Sequence, residues 1–274
     1  MTGPCVAHLQ RAMGDAMLAS RDDGGATRLC GLRQQGSAKI LLPRNHRDGA
    51  LEAVLLNTAG GMTGGDRFNW VVEAGAGTWL RVTSQTAERI YRSAGGVAQV
   101  RTSLRVGAGA TLEWLPQETI LFDGARLERT LEIDIQHGAR LLAVESIVLG
   151  RRAHGELARS GSLIDRWRVG CNGLPLLVEA LRLEGLQRAL ESPATGNGAA
   201  ALATVLLVAP DAEQRIDEIR AMLPNGSGLE AGASAFRGMA LVRILATDGD
   251  RLRPSLAALL ARLGGGPLPR VWQV

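Results

Sequence analysis

Metal-ligating and aromatic residues are scarce in these 274 residues. Cys5, Cys30 and Cys171 stand too far apart for a Cys-x-x-Cys site, and an odd count argues against a disulfide framework. His8, His46, His137 and His154 lie singly, without the spacing of a resident zinc-type centre. Five Trp, three Phe and one Tyr leave the core to aliphatic side chains. No apolar run reaches the ~18 residues of a membrane span, and no basic-then-apolar signal pattern opens the chain, so it reads as cytoplasmic. Lysine is nearly missing too: of 31 basic residues only Lys39 is one. The net charge is +4 and the pI near 9.6, but acids lie between the arginines and no basic block carries interleaved aromatics, which argues against nucleic acid as a partner. An arginine-rich surface suits an acidic protein, because the guanidinium fork binds carboxylates bidentately.

Glycine, by contrast, is plentiful, at 35 residues. Its densest stretch is Asn57-Thr58-Ala59-Gly60-Gly61-Met62-Thr63-Gly64-Gly65-Asp66-Arg67. Strand-like runs flank it: 51–56 before, and Phe68, Trp70 and Val72 in alternation after. A phosphate cradle needs Gly-Lys-Ser/Thr or a strand-to-helix turn, whereas this loop leads through a carboxylate into another strand. A constrained strand-to-strand connection is the better reading.

A repeat then sets the fold. Gly77-Thr78-Trp79-Leu80 aligns with Gly109-Ala110-Thr111-Leu112 and Gly138-Ala139-Arg140-Leu141. Val72, Leu104 and Ile133 stand five residues before each glycine, and Trp70, Thr102 and Leu131 seven before. Strand-turn-strand units recurring about every thirty residues predict a mostly β, β-helix-like stack, with a large β-sandwich of serial hairpins as the alternative. Residues 1–26 are expected to be poorly ordered and 27–274 to form a single β-rich domain. It should carry two helices near its C-terminal end, at 211–223 and 253–263. Asp211-Ala212-Glu213-Gln214 gives the first a capping-box pattern; Asp248 or Asp250 caps the second, with Pro254 in its first turn.

If the units stack in register, Ser84 and Gln85, Pro116 and Gln117, and Glu145 and Ser146 fall at equivalent places. Glu145 interrupts a strand apolar on both faces, and Glu179 does the same within 174–181. A carboxylate buried without a partner costs several kcal/mol, so each must be paired, protonated or facing an internal wet space. Arg151, Arg152 and Arg182 are candidate partners for a plain salt bridge.

The 57–66 loop, Tyr91-Arg92-Ser93, Leu112-Glu113-Trp114-Leu115-Pro116-Gln117-Glu118, Leu149-Gly150-Arg151 with Gly155-Glu156, and Pro269-Arg270-Val271-Trp272 together resemble the urease accessory protein UreD (UreH) family, over 27–272. The resemblance implies a non-enzymatic, mostly β scaffold for nickel insertion into apo-urease. Its implied partners are UreF, the GTPase UreG, which would bind the GTP, and the urease apoprotein. It also implies an internal tunnel for Ni²⁺ in transit and no permanently bound cofactor. Asp66, Glu145 and Glu179 look like the family's acidic tunnel positions, Glu88 matches less well, and Ser84 and Gln85 are polar lining. Spaced oxygen ligands suit transit, since imidazole or thiolate would trap the ion. Two readings from other classes stand beside it: a plain adaptor with every buried acid salt-bridged, and a cytosolic β-helix carbohydrate-active enzyme using two of Asp66, Glu88, Glu145 and Glu179. The second wants aromatic platforms that this chain lacks.

Overall fold

The computed structural model describes residues 10–44, 48–151, 155–224, 226 and 228–273. Cys5, His8, His46, Arg152 and His154 lie outside them. The strands are β1 (Met13–Asp23), β2 (Ala26–Gly36), β3 (Ala38–Leu41), β4 (Leu51–Asn57), β5 (Arg67–Ala74), β6 (Trp79–Ser84), β7 (Glu88–Ile90), β8 (Ala98–Val106) and β9 (Thr111–Leu115). Then follow β10 (Thr119–Leu121), β11 (Ala125–Ile135), β12 (Arg140–Leu149), β13 (Gly161–Cys171), β14 (Leu174–Glu184), β15 (Ala201–Val208), β16 (Leu229–Phe236) and β17 (Met239–Ala246). Helix α1 is Ile216–Ala221 and α2 is Gly249–Leu263.

The chain alternates between two facing sheets. From β4 to β13 it passes from one sheet to the other and back, so β5, β8, β11 and β13 stack in parallel in the first while β4, β6, β9 and β12 do so in the second. Strands that follow one another across a Gly-Ala turn therefore lie in different sheets, and their hydrogen-bonding neighbours come from the next coil. This is the stacked arrangement and not a sandwich of hairpins. The register is the one read from the glycines: Val72 opposes Leu104 and Leu104 opposes Ile133, while Leu80, Leu112 and Leu141 line up across the gap. A one-residue slip would turn every inward side chain to solvent, which is why an alternating pattern fixes the register so firmly.

Two cores result. The first fills the space between the sheets, with Phe68, Val72, Leu104, Leu131 and Leu141 among its members. The second lies on the outer face of the ten-stranded sheet, where α2 lays Leu252, Leu256, Leu259, Leu260 and Leu263 over Val205, Val242 and Ile244. Strand β12 is sandwiched between them and is covered on both faces, as its sequence suggests.

Four expectations need correction. Residues 13–23 are not disordered: β1 is an 11-residue strand pairing in parallel with β5 and antiparallel with β2. Its inward residues include Ala16, Leu18, Ala19 and Ser20, mostly small, so its local pattern is weak and the neighbouring strands decide it. Helix α1 starts at Ile216 without a side-chain cap, because Asp211 pairs with Arg140 at 3.1 Å and Glu213 accepts Gly238 N–H at 2.7 Å. Helix α2 starts at Gly249, capped by Asp248 on the Arg251 N–H, which puts Pro254 in its second turn instead of its first. Strand β14 is an edge strand with Leu174 and Val178 largely exposed, so it is not buried on both faces.

Candidate functional site

The corners of the stack differ on its two sides. On one, sheet-to-sheet turns are tight and glycine-centred at Gly77, Gly109 and Gly138, each with positive φ. On the other, the connections are long, and each is pinned to the next. Met62 N–H donates to Arg89 O and Tyr91 N–H to Met62 O, both at 2.7 Å; Ser93 N–H donates to Gly124 O, and Gly124 N–H to Ser160 O. Arg92 pairs with Asp123, which also accepts the Arg159 and Ser160 N–H groups; Arg151 pairs with Glu156 at 2.5 Å. The segments 57–66, 91–93, 149–151 and 155–156, scattered in sequence, thus share one flank. The glycines are there for close approach: a Cβ on Gly61, at φ +143°, would sit 2.8 Å from Arg89 O, and one on Gly64 would strike Ser93 Oγ and two carbonyl oxygens.

Behind this flank a cavity of about 160 Å³, roomy enough for several waters, enters the space between the sheets. Gly60, Gln85 and Thr86 form its exposed rim, with Asn57, Ser84 and Glu88 just inside, and Trp114, Thr119, Arg129 and Glu145 lie at its buried end. Glu88, half-buried, accepts Asn57 Nδ2–H at 3.1 Å and its neighbour Arg89 N–H at 3.2 Å; burial pushes its carboxyl up to about 7 against these bonds. Ser84 accepts Gln117 N–H at 2.8 Å, and Gln117 Nε2 reaches Val271 O at 3.1 Å, so the C-terminal segment braces the rim.

The buried end holds a charged cluster built by the register. Arg129 and Asp165 are direct neighbours on β11 and β13, both pointing inward, and Glu145 faces them from β12 in the opposite sheet. Arg129 Nε and Nη2 donate to the two Asp165 oxygens at 3.1 and 2.6 Å. Its Nη1 donates to Glu145 Oε2 at 2.5 Å and to Thr119 Oγ1 at 3.2 Å, while Trp114 Nε1–H holds Glu145 Oε1 at 3.0 Å. Burial works against the guanidinium charge, but Asp165 and Glu145 outweigh it and hold Arg129 above its ordinary pKa. Burial likewise raises the Glu145 carboxyl; Arg129 pulls it back, and the Asp165 charge adds to the rise. One cation among two acids leaves the cluster one negative charge in excess when both are ionised.

Of the residues singled out from sequence, Glu88, Glu145, Ser84 and Gln85 line this cavity, and Asp66 and Glu179 do not. Asp66 is buried, but its two oxygens are taken by the Ala12 and Thr63 N–H groups at 2.9 and 2.8 Å. Glu179 sits half-buried on the edge strand, 2.7 Å from Arg243 on β17. The partners suggested earlier are therefore replaced: Arg151 pairs with Glu156, Arg182 with Glu184, and the arginine at Glu145 is Arg129. Arg129 and Asp165 escaped sequence reading. The signal was there, since each occupies the inward position of an alternating run, Leu127-x-Arg129-x-Leu131 and Leu163-x-Asp165-x-Trp167. Among the described residues no group of three or more His, Cys, Asp or Glu is placed to hold a metal ion, and no helix is long and apolar enough to cross a membrane.

Fold and site together define a two-sheet β-solenoid with one looped flank that opens onto a charged internal cavity. Residues 12–273 match the family described as UreD urease accessory protein. Similar chains include urease accessory proteins UreD from Chelativorans sp. (strain BNC1), 46% identical over 98% of this chain and 96% of the relative, and from Rhizobium leguminosarum bv. trifolii (strain WSM2304), 46% identical over 97% and 96%. Another, from Xanthobacter autotrophicus (strain ATCC BAA-1158 / Py2), is 46% identical over 96% of this chain and 90% of the relative. The chain belongs to the UreD urease accessory protein family.

Proposed function

We propose that this protein is a urease maturation factor: a non-catalytic scaffold that joins UreF, the GTPase UreG and the urease apoprotein and gives Ni²⁺ a passage toward the nascent metal centre. Family membership supports the maturation role. The observation that carries the passage is the cavity itself, which links an exposed rim at Gln85 and Thr86 to the buried Glu145 carboxylate through oxygen-bearing side chains of Ser84, Glu88 and Thr119. Hard oxygen donors and water reduce the desolvation cost of a divalent cation while binding it weakly enough for release. Ni²⁺ is cargo here, and the passage uses Glu88 and Glu145, without Asp66 or Glu179.

A glycosidase needs two free carboxyls flanking an open cleft. Here Glu145 is clamped by Arg129, both Asp66 oxygens are held by amides and Glu179 lies outside the cavity beside Arg243, which leaves Glu88 without a second free carboxyl, so nothing favours that reading. The test is urease nickel content after activation with Glu145→Gln or Glu88→Gln protein in an accessory complex shown intact by co-elution. Nickel content falls several-fold if the passage is used; unchanged loading by both variants refutes it.

A further inference from the structure

Arg129 poses a difficulty for any cation entering the cavity, because a guanidinium stands at its inner end. The hydrogen bonds answer it. Two of the three nitrogens, Nε and Nη2, form a fork on Asp165, the register neighbour on the adjacent strand of the same sheet. Only Nη1 crosses to the opposite sheet, where it reaches Glu145 Oε2 and Thr119 Oγ1. The other Glu145 oxygen is fixed by Trp114, so Oε2 is the atom free to change partner. A bidentate fork is the stronger and more oriented attachment, and the single arm the weaker.

We propose, building on the transit reading above, that Arg129 is an internal competitor for the cargo: a divalent cation displaces its Nη1 arm from Glu145 while the Asp165 fork holds the guanidinium in place, and the arm's return expels the ion. Asp165 is the anchor that neutralises Arg129, so an incoming cation does not face an uncompensated positive charge. Glu145 is the carboxylate that changes hands. Without Arg129, Glu145 and Asp165 would be two buried acids at close range, a site that holds a cation instead of passing it. Neither Asp66 nor Glu113 offers such an exchange. Both oxygens of Asp66 are occupied by backbone amides, and Glu113, paired with Arg81 and with Gly265 N–H, does not line the cavity.

The experiment compares Ni²⁺ affinity by calorimetry for the full-length protein, co-purified with its accessory partners, as wild type and variants. Arg129→Gln with Asp165→Asn leaves Glu145 alone and keeps the cluster's formal charge at minus one. At a pH that ionises Glu145 in the absence of Arg129, it should bind Ni²⁺ roughly tenfold or more tightly than wild type, because no cation competes for the carboxylate. Glu145→Gln alone, which removes the contested carboxylate and leaves Arg129 on Asp165, should abolish binding in the cavity. Arg129→Lys, a gentler change that keeps the charge but loses the fork, should bind several-fold more tightly than wild type and serves if the double variant does not fold. Equal affinity in wild type and in whichever of these folds overturns the proposal. The transit reading is judged separately: if Glu145→Gln protein loads urease normally, passage past Glu145 is refuted, while the affinity comparison still decides whether Arg129 competes with cations.

Discussion

Replacing Asp66 should damage the protein's stability and leave its handling of nickel intact. Asp66 is 4% exposed, and its carboxylate accepts two backbone N–H groups, Ala12 at 2.9 Å and Thr63 at 2.8 Å. The first ties the start of β1 to the glycine loop; the second closes that loop on itself. A hydrogen bond to a charged acceptor contributes about 1.5–3 kcal/mol, and a buried donor left unpaired costs about as much. Asp66→Asn keeps one acceptor oxygen and turns an NH₂ group toward the other amide, so it should cost about 1.5–3 kcal/mol. Asp66→Ala loses both and should cost about 3–5 kcal/mol. Against a typical total of about 5–15 kcal/mol, the alanine variant is near the limit of folding. The assay is the urea midpoint of each variant, followed by urease nickel content per mole of intact accessory complex at a temperature where the variant is folded. A variant that unfolds like wild type yet fails to load nickel would refute the structural role assigned here and restore Asp66 to the passage.

Two further outcomes follow from the flank. Gly64→Ala places a methyl group against Ser93 Oγ and the carbonyl oxygens of Gly95 and Gly96, the last at 2.7 Å, so backbone must move. Loss of co-elution with the accessory partners together with a lowered melting temperature is expected, and a wild-type melting curve would show that the loops are not pinned as described. Glu88 gives a pH dependence. Its carboxyl is raised from 4.5 to about 7 in the folded protein, chiefly by burial, so the folded state binds its proton more tightly than the unfolded state does. Stability therefore falls as pH rises from about 4.5 to about 7, by at most about 3.5 kcal/mol at roughly 1.4 kcal/mol per unit. Glu88→Gln should remove that slope and be more stable than wild type at pH 8, with the difference gone near pH 4.5; parallel stability curves for the two would contradict it.

The repeat was legible because a solenoid imposes its register on the sequence. Each coil must present the same alternation to the coil above, so Val72, Leu104 and Ile133, or Leu80, Leu112 and Leu141, are placed by counting from a glycine. Where the coil ends, counting fails. Strand β14 turns back antiparallel beside β13 at the edge of its sheet, so its apolar residues Leu174 and Val178 face outward and Glu179 pairs with Arg243. Strand β1 fails for the opposite reason: its own residues are small, and its parallel partner β5, with Met13 opposite Arg67, supplies what its propensity lacks. The site was half legible. A charge in an apolar run flags burial, which found Glu145 but also picked out half-buried Glu179 on the edge strand, and it says nothing of what fills the space around either.

That distinction is sharpest in two clusters of identical composition. Buried Arg81 pairs with buried Glu113 and half-buried Asp48, as Arg129 does with Glu145 and Asp165, all three of them buried. Each joins one guanidinium to two carboxylates. Arg81 and Glu113 lie on the outer face of their sheet beneath the 264–266 glycines, where Gly265 N–H takes a Glu113 oxygen at 2.7 Å and a Cβ on Gly266 would meet Asp48 Oδ2 at 2.6 Å. The Gly265 bond to Glu113 thus ties that segment to the sheet, and the cluster acts as a clamp for it. The Arg129 cluster keeps one carboxylate oxygen beside the cavity, bound by a single arm of its arginine. Buried charge alone thus does not separate a brace from a waypoint; a void at the carboxylate and a partner able to let go of it do.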